Sequence, residues 1–181
     1  MQKLFTFLLV CCLTIVSYAQ EETNDEKPKE LALDTTAVLT IDKTIKSLYA
    51  AISGEKGEAR HWKQFNYLFN PNAKLIPTGK DEFGEYKVHY MSPQDYKKNS
   101  KDWLEEHGFI EKEIYRKTEV FGPIAHVFST YESYHSATDE EPFMRGINSI
   151  QLFYDGKRWW ITNISWSQES RLNPIPKQYL P

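Results

Sequence analysis

The stretch "YDGKRWWITNISW", residues 154–166, decides the fold. An Asp-Gly pair between two runs that alternate apolar and polar side chains favours a two-residue type I′ turn between antiparallel strands. Such a turn at Asp155-Gly156 pairs Tyr154 with Lys157, and the register of all later pairs follows by counting outward. The same counting predicts that Asn148 pairs with Asn163.

One face of this predicted hairpin is apolar near the turn, where Leu152 lies opposite Trp159. Farther out it becomes small and polar, with Asn148, Asn163 and Ser165. Because an unpaired buried amide costs about 1–3 kcal/mol, a face that is only core should stay apolar along its length. We therefore interpret it as a concave face that lines a cavity. The alternative is that the asparagines are satisfied by each other or by loop backbone.

The opposite face of the hairpin carries Trp160 and Trp166 in the same register, together with arginine and serine side chains. This mixture is typical of a convex face that is partly exposed to solvent or covered by a second subunit. If a second subunit covers it, the sequence predicts a homodimer through the convex face of the sheet.

The remaining chain divides into helical and extended parts. Residues 35–53, "GEARHWKQFNYLF" and the segment that starts at Ser92-Pro93 have the apolar spacing of amphipathic helices. Two short strands, "AKLIPTG" and "EYKVHYM", lie between the second and third helix. Four long alternating runs follow from Gly108 to Ser167. This order predicts an α+β domain with three N-terminal helices packed on a strongly curved, mainly antiparallel sheet.

Residues 35–168 resemble the nuclear-transport-factor-2-like superfamily, which has a cone-shaped α+β fold. The resemblance is carried by "HWKQFNYLFNPNAKLIPTG" and "YDGKRWWITNISW". Relatives include ketosteroid isomerase, scytalone dehydratase and SnoaL-type cyclases, and their enzymatic members commonly project an aspartate or histidine into the cone. The corresponding positions here carry Asn72, Asn163 and Ser165, which do not titrate near neutral pH as a general base must. The resemblance thus implies the cone but no catalytic group.

The N-terminal sequence "MQKLFTFLLVCCLTIVSYAQ" predicts a signal peptide at residues 1–19, cleaved after Ala19, and hence export to the periplasm or the exterior. Its apolar run of about 13 residues is shorter than the roughly 20 that span a bilayer, so a membrane anchor is the weaker reading. Both cysteines lie in this segment, so the mature chain is expected to form no disulfide.

The mature chain is predicted to have three further parts. Residues 20–34 are acidic and too polar to fold, which predicts a disordered spacer. Residues 35–170 form the cone domain, and the proline-rich residues 171–181 form an extended flap. The whole chain carries 22 basic and 25 acidic residues and shows no basic stripe, so nucleic acid and anionic membrane are not expected partners.

Three histidines are candidate catalytic bases. His61 starts the second helix, where it is either a base or an exposed cap. His126 faces Glu119 if Gly122-Pro123 makes a two-residue turn, which gives either a base with its orienting carboxylate or a surface ion pair. His89 and Tyr90 are adjacent on a strand, so alternation allows only one of them to point inward.

The candidate ligand-binding residues come from both layers. In addition to Asn148, Asn163 and Ser165, the concave face is predicted to include Tyr131 and Arg116. The other parity of those strands, which holds Glu111 and Glu113, has the composition of a solvated face. Aromatic candidates from the helices and the short strand are Trp62, Trp103 and Tyr90. No metal or cofactor is predicted, because the acidic cluster near His135 lacks a fixed scaffold.

Three functions are compatible with this sequence. The first is an exported cone domain that binds a small, largely apolar molecule. The second is an enzyme of the isomerase, dehydratase or cyclase type with a histidine base. The third is a non-catalytic module that dimerises through the convex sheet face.

Overall fold

The computed structural model describes residues 31–181. The signal peptide predicted at residues 1–19 and residues 20–30 of the predicted spacer lie outside the described residues. Within residues 31–181, no helix is both long enough and apolar enough to cross a membrane. The helices are α1 (Ile41–Ile52), α2 (Trp62–Leu68) and α3 (Pro93–His107), with short 3-10 turns at Thr35–Val38 and Lys177–Tyr179.

Six strands form one sheet. They are β1 (Phe69–Lys80), β2 (Tyr86–Val88), β3 (Ile110–Phe121), β4 (Ile124–Tyr134), β5 (Met144–Tyr154) and β6 (Trp159–Gln168). Their order in space is β2-β1-β6-β5-β4-β3, and only the β1–β6 pair is parallel. Three helices on a curved, mainly antiparallel sheet confirm the predicted α+β class. Apolar side chains such as Phe65, Val127 and Ile150 fill the space between the layers.

Helix α3 is fixed at both ends by its own sequence. The Ser92 hydroxyl accepts from the Asp95 backbone N–H at 3.1 Å, and the Asp95 carboxylate accepts from the Ser92 N–H at 3.0 Å. This reciprocal pair is a capping box, and Pro93 occupies the first helical turn. Gly108 has a φ of 73°, which lets the chain leave the helix and enter β3.

The β5–β6 turn is longer than predicted. Tyr154 pairs with Trp159 rather than with Lys157. The reason is the Asp155 carboxylate, which accepts hydrogen bonds from the backbone N–H groups of Lys157 (2.8 Å) and Arg158 (2.9 Å). The shift of two residues preserves side-chain parity, so Trp159 still packs against the core as predicted.

A β-bulge at Thr162 then changes the parity of the rest of β6. Leu152 pairs with Ile161, but Gln151 pairs with Asn163, so Thr162 has no partner on β5. Ile164 and Trp166 consequently face the helices, while Asn163 and Ser165 lie on the outer face. The predicted inward position of Asn163 and Ser165, and the outward position of Trp166, are therefore wrong. Asn148 is on the inner face as predicted.

A second bulge lies on β3. Phe121 pairs with Ile124 across the predicted Gly-Pro turn, but farther along Tyr115 pairs with Thr130 and Glu113 with Tyr131, so that Ile114 is unpaired. The extra residue turns the first part of β3 over. As a result Glu111 and Glu113 lie on the inner face together with Arg116, and their predicted place on a solvated face is wrong.

The last residues of the predicted spacer are ordered. The Gln64 side chain accepts from the Asp34 N–H at 2.8 Å and donates to the Asp34 carbonyl at 3.1 Å. The Asp34 carboxylate also caps the 3-10 turn through the Thr36 N–H at 2.8 Å. At Asp34 the structure differs from the predicted disorder of residues 20–34, because the backbone and the carboxylate of Asp34 have hydrogen-bond partners.

The C-terminal residues pack on the outer face of the sheet. The Thr130 hydroxyl donates to the Tyr179 carbonyl at 2.7 Å, the rings of Phe128 and Tyr179 are 4.8 Å apart, and Ile175 is buried. The predicted flap thus covers part of the surface through which a homodimer was predicted. That homodimer stays a prediction.

Candidate functional site

A cavity of about 290 Å³ lies between the helices and the inner face of the sheet. Its walls are mainly apolar and aromatic, and its few polar groups come from α3, β3, β4 and β5. The lining residues are Leu48, Ile52, Phe65, Leu75, Tyr96, Asn99, Ser100, Trp103, Leu104, Phe109, Glu111, Tyr131, Met144, Asn148, Ile164 and Trp166.

Glu111 is the ionisable centre of this cavity. Its carboxylate accepts hydrogen bonds from Asn148 Nδ2 at 3.2 Å and from Ser133 Oγ at 3.4 Å. Burial raises the pKa of Glu111 to about 7, although these two hydrogen bonds act in the opposite direction. The carboxyl group therefore exists in both protonation states near neutral pH, which is the property required of a group that gives and takes protons.

Two tyrosines border the same space. Burial and the negative charge of Glu111 raise the pKa of Tyr96 and Tyr131, so both hydroxyls stay protonated. The Tyr131 ring lies against Gly146, where an added Cβ would be 2.5 Å from the Tyr131 hydroxyl oxygen. A glycine at this position is therefore what allows the phenol to reach the cavity.

A chain of hydrogen bonds leads from the cavity into the protein. Asn148 Nδ2 also donates to the Tyr49 hydroxyl at 3.1 Å, and the hydroxyls of Tyr49 and Ser129 are 2.7 Å apart. Ser129 in turn donates to Glu113. Each of the two hydroxyls accepts one hydrogen bond and donates another, so both are satisfied within this chain without water.

Glu113 is neutralised at the far end of this chain. Arg116 Nε donates to Glu113 Oε1 at 2.8 Å and Nη2 donates to Oε2 at 2.5 Å, which is a bidentate ion pair. Arg116 Nη1 also reaches Asp42 at 3.2 Å. Burial lowers the pKa of Arg116, but the hydrogen bonds and the charge of Glu113 more than offset it and leave that pKa raised.

Comparison with known proteins finds similarity at the level of structure. No family model and no curated protein matches the sequence. A proposed scytalone dehydratase from Novosphingobium aromaticivorans is 14% identical, with a TM-score of 0.53 over 72% of this chain and 82% of that chain. The beta subunit of a proposed aromatic-ring-hydroxylating dioxygenase from the same organism is 12% identical, with a TM-score of 0.55 over 72% and 87%. A protein of unknown function with a cystatin-like fold, from Nostoc punctiforme, is 9% identical, with a TM-score of 0.56 over 78% of this chain and 97% of that chain.

The chain has the nuclear-transport-factor-2-like fold. The cone fold that the resemblance implied is thereby confirmed. At identities of this size the likeness concerns the fold alone, and a fold of this kind hosts many activities. What this nuclear-transport-factor-2-like domain does must be argued from its own cavity.

Three of the predicted ligand-binding residues line the cavity, namely Asn148, Tyr131 and Trp103. Trp103 is 43% exposed and lies at the rim, within a group of rings that includes His107 and Phe143. The structure brings these three together from α3, β4 and β5, as the sequence predicted.

The other predicted ligand-binding residues lie elsewhere. Trp62 is buried in the core against Phe65 and Tyr96, and Arg116 is held by Glu113. Asn163 and Ser165 are on the outer face because of the Thr162 bulge. Tyr90 is 65% exposed and His89 is exposed as well, so the prediction that one of them points inward is wrong.

None of the five histidines of the chain, all of which the structure describes, lines the cavity. His61 caps α2, where its Nδ1 accepts from the Gln64 N–H at 3.3 Å. His126 bonds to the Ser149 hydroxyl at 3.0 Å on the outer face, and Glu119 pairs with Lys117 at 3.1 Å. The predicted histidine bases therefore do not meet the space in which a substrate would lie.

Glu111 is the functional candidate that sequence reasoning missed. The alternation of β3 placed it with Lys117 and Glu119, both of which are exposed, and the unpaired Ile114 reversed that assignment. The one signal in the sequence was the pair of carboxylates at positions 111 and 113, which is ambiguous because a solvated strand carries the same pattern.

Proposed function

We propose that this domain binds a small, mainly apolar molecule in the cavity between helices and sheet. The observation that carries the proposal is the cavity of about 290 Å³, whose walls are apolar and aromatic and whose polar groups gather at Glu111, Asn148 and Tyr131. Ligand sites in proteins commonly combine an apolar lining with a few placed polar groups, at volumes from about 300 Å³ upward.

The size of the cavity favours this function over a purely structural module. Protein interiors are packed as densely as organic crystals, and voids larger than a water molecule are few. A hollow of this size also borders a carboxylate and two phenols, whereas a core that serves only stability would bury apolar groups there. These features support binding as the role of the cone.

The test is binding of a panel of small apolar carbonyl compounds, measured by thermal shift and native mass spectrometry. We expect Met144→Trp, which places an indole into the cavity, to abolish the binding. The control is Phe153→Trp on the outer face, where residue 153 is already 40% exposed, and it should leave binding unchanged. Equal binding by both variants would place the ligand outside the cavity and refute the proposal.

Acid–base catalysis is a second candidate, favoured by the raised pKa of Glu111 and its place in an apolar cavity. In such a reaction the carboxylate would take a proton from the carbon next to a carbonyl group. The bonding electrons would move to the carbonyl oxygen, which the Tyr131 hydroxyl would stabilise by donating a hydrogen bond. Glu111 thus replaces the histidine base that the sequence suggested.

Proton exchange tests for catalysis even though the natural substrate is not known. We expect the protein to accelerate deuterium uptake by acetophenone in deuterium oxide, with a rate that rises with pH and levels off above about 7 as Glu111 ionises. Glu111→Gln should reduce that rate at least tenfold, and Asp102→Asn on the exposed surface of α3 should not. Exchange that survives Glu111→Gln would exclude this role.

Export to the periplasm or the exterior is a further part of the proposal. It is supported by the sequence of residues 1–19, which has the charge, apolar length and small residues of a cleaved signal.

A further inference from the structure

The cavity has a charge of one sign. Glu111 is the only lining residue with a side chain that is charged at neutral pH, and no lysine, arginine or histidine lines the cavity among the described residues. The other inward glutamate, Glu113, does not add to this charge because Arg116 neutralises it. A ligand entering the cavity therefore meets a carboxylate that has no protein cation as a partner.

Two hydrogen-bond acceptors at the centre of the cavity remain available to a ligand. Asn148 uses its amide N–H groups on Glu111 and Tyr49, which leaves its carbonyl oxygen without a hydrogen bond in the described part of the chain. The Glu111 carboxylate accepts only one hydrogen bond at each oxygen and has room for more. These groups favour a ligand that donates hydrogen bonds over one that accepts them.

The walls around this acceptor group are rich in aromatic rings. Six aromatic side chains line the cavity: Phe65, Tyr96, Trp103, Phe109, Tyr131 and Trp166. The face of an aromatic ring carries partial negative charge and attracts cations, most strongly where water is excluded. The aromatic rings and the Glu111 carboxylate thus both favour a positively charged ligand.

We infer that the cavity selects a small organic cation, a protonated amine on an apolar or aromatic frame. Its ammonium group would pair with the Glu111 carboxylate and the Asn148 carbonyl, and its hydrocarbon part would lie against the indoles and phenyl rings. Anionic ligands would be excluded by the same carboxylate. The inference rests on the proposed ligand-binding function and specifies its ligand class.

The groups that face the Glu111 carboxyl determine the conditions of the test. They are Tyr49 from α1, Tyr96 from α3, Tyr131 from β4, and Ser133 and Asn148 from β4 and β5, all of them neutral. At pH 8 the Glu111 carboxyl is largely ionised while an aliphatic amine is still protonated. Binding of a cation should therefore be measured at that pH.

The experiment uses three probes of one shape that differ in charge: 2-phenylethylamine, 2-phenylethanol and phenylacetate. Dissociation constants are measured by calorimetry at pH 8 for the full chain and for its variants. We expect the amine to bind at least about tenfold more tightly than the alcohol, as one charge-assisted hydrogen bond would give, and phenylacetate to bind most weakly. Glu111→Gln should remove the preference for the amine over the alcohol, while Asp102→Asn should leave both dissociation constants unchanged.

Two outcomes separate this inference from the proposal it rests on. If the amine and the alcohol bind equally and Met144→Trp blocks both, the inferred cation preference is wrong and the cavity remains the ligand site. If the amine binds and Met144→Trp does not block it, the ligand does not occupy the cavity and both statements fail. A preference for the amine that persists in Glu111→Gln also overturns the inference.

Discussion

Glu111 and Glu113 lie two positions apart on β3 and face the same side of the sheet, yet their surroundings are opposite. Glu113 is held by two hydrogen bonds from Arg116, which also pairs with Asp42. Glu111 has hydrogen bonds from two neutral side chains, and burial raises its pKa to about 7. The difference lies in their partners: Glu113 has a guanidinium beside it, whereas Glu111 has only neutral hydrogen-bond donors.

The two glutamates are nonetheless connected. Asn148, Tyr49 and Ser129 bridge them through consecutive hydrogen bonds. The ion pair at one end is therefore a fixed anchor for the polar groups that surround the cavity at the other. Three substitutions separate the ends of this chain from its middle.

The largest effect is expected at the ion pair. Glu113→Gln leaves Arg116 with one neutral acceptor and Asp42, and both Arg116 and Glu113 are mostly buried, with side chains 17% and 19% exposed. We expect a loss of about 3 kcal/mol in the free energy of unfolding, measured by urea denaturation at pH 7. Glu119→Gln, on the same strand but in an exposed pair with Lys117, should change it by less than about 0.5 kcal/mol. Equal effects of the two would remove the distinction between them.

Glu111→Gln should increase the free energy of unfolding, whereas Glu113→Gln decreases it. The Glu111 carboxyl has a pKa of about 7 in the folded protein against an ordinary 4.5, so the folded state binds its proton more tightly. Folding stability contributed by this group is therefore present at low pH and falls as pH rises from about 4.5 to about 7. Since the cavity is partly open, we expect the variant to be more stable than the wild type by about 2 kcal/mol at pH 8, with the difference gone at pH 4.

The measurement is urea denaturation of both proteins at the two pH values. If the wild type is as stable as Glu111→Gln at pH 8, the ionised Glu111 carboxylate does not destabilise the folded protein. The contrast with Glu113 would then disappear.

The smallest effect is expected in the middle of the chain. Tyr49→Phe removes a hydroxyl that accepts a hydrogen bond from Asn148 and bonds with Ser129. Asn148 still donates to one glutamate and Ser129 to the other. We expect a loss of about 1 kcal/mol in the free energy of unfolding, the value of one buried hydrogen bond. Tyr90→Phe, at an exposed position after β2, serves as the control. A loss no larger than in that control would show that Tyr49 does not bridge Asn148 and Ser129.

The sequence predicted the order of helices and strands because hydrophobic periodicity and caps act locally. It also placed three cavity residues correctly. No bulge lies on β5 between Asn148 and the Asp155-Gly156 turn or on β4 between Tyr131 and the Gly122-Pro123 turn, and Trp103 follows the period of its helix. It failed beyond Thr162 and before Ile114, where one extra residue exchanges the faces of a strand. Neither position carries a glycine, so nothing in the residue type marks the bulge.

The length of the turn before β6 was predicted wrongly for a related reason. Asp-Gly favours a tight turn, but Asp155 also accepts from the Trp160 indole at 2.7 Å, a contact that appears only once the strand is in place. The two bulges, rather than the turn, changed the site, because they took Asn163 out of the cavity and brought Glu111 into it.

Strand β4 contacts the C-terminal residues on the outer face of the sheet. Thr130 holds the backbone of Tyr179 on one surface of the sheet, while the next residue, Tyr131, presents its phenol to the cavity on the other. The two surfaces are thus served by neighbouring residues of one strand. Removing the final residues would leave the Thr130 hydroxyl without its acceptor, one position away from a phenol that lines the cavity.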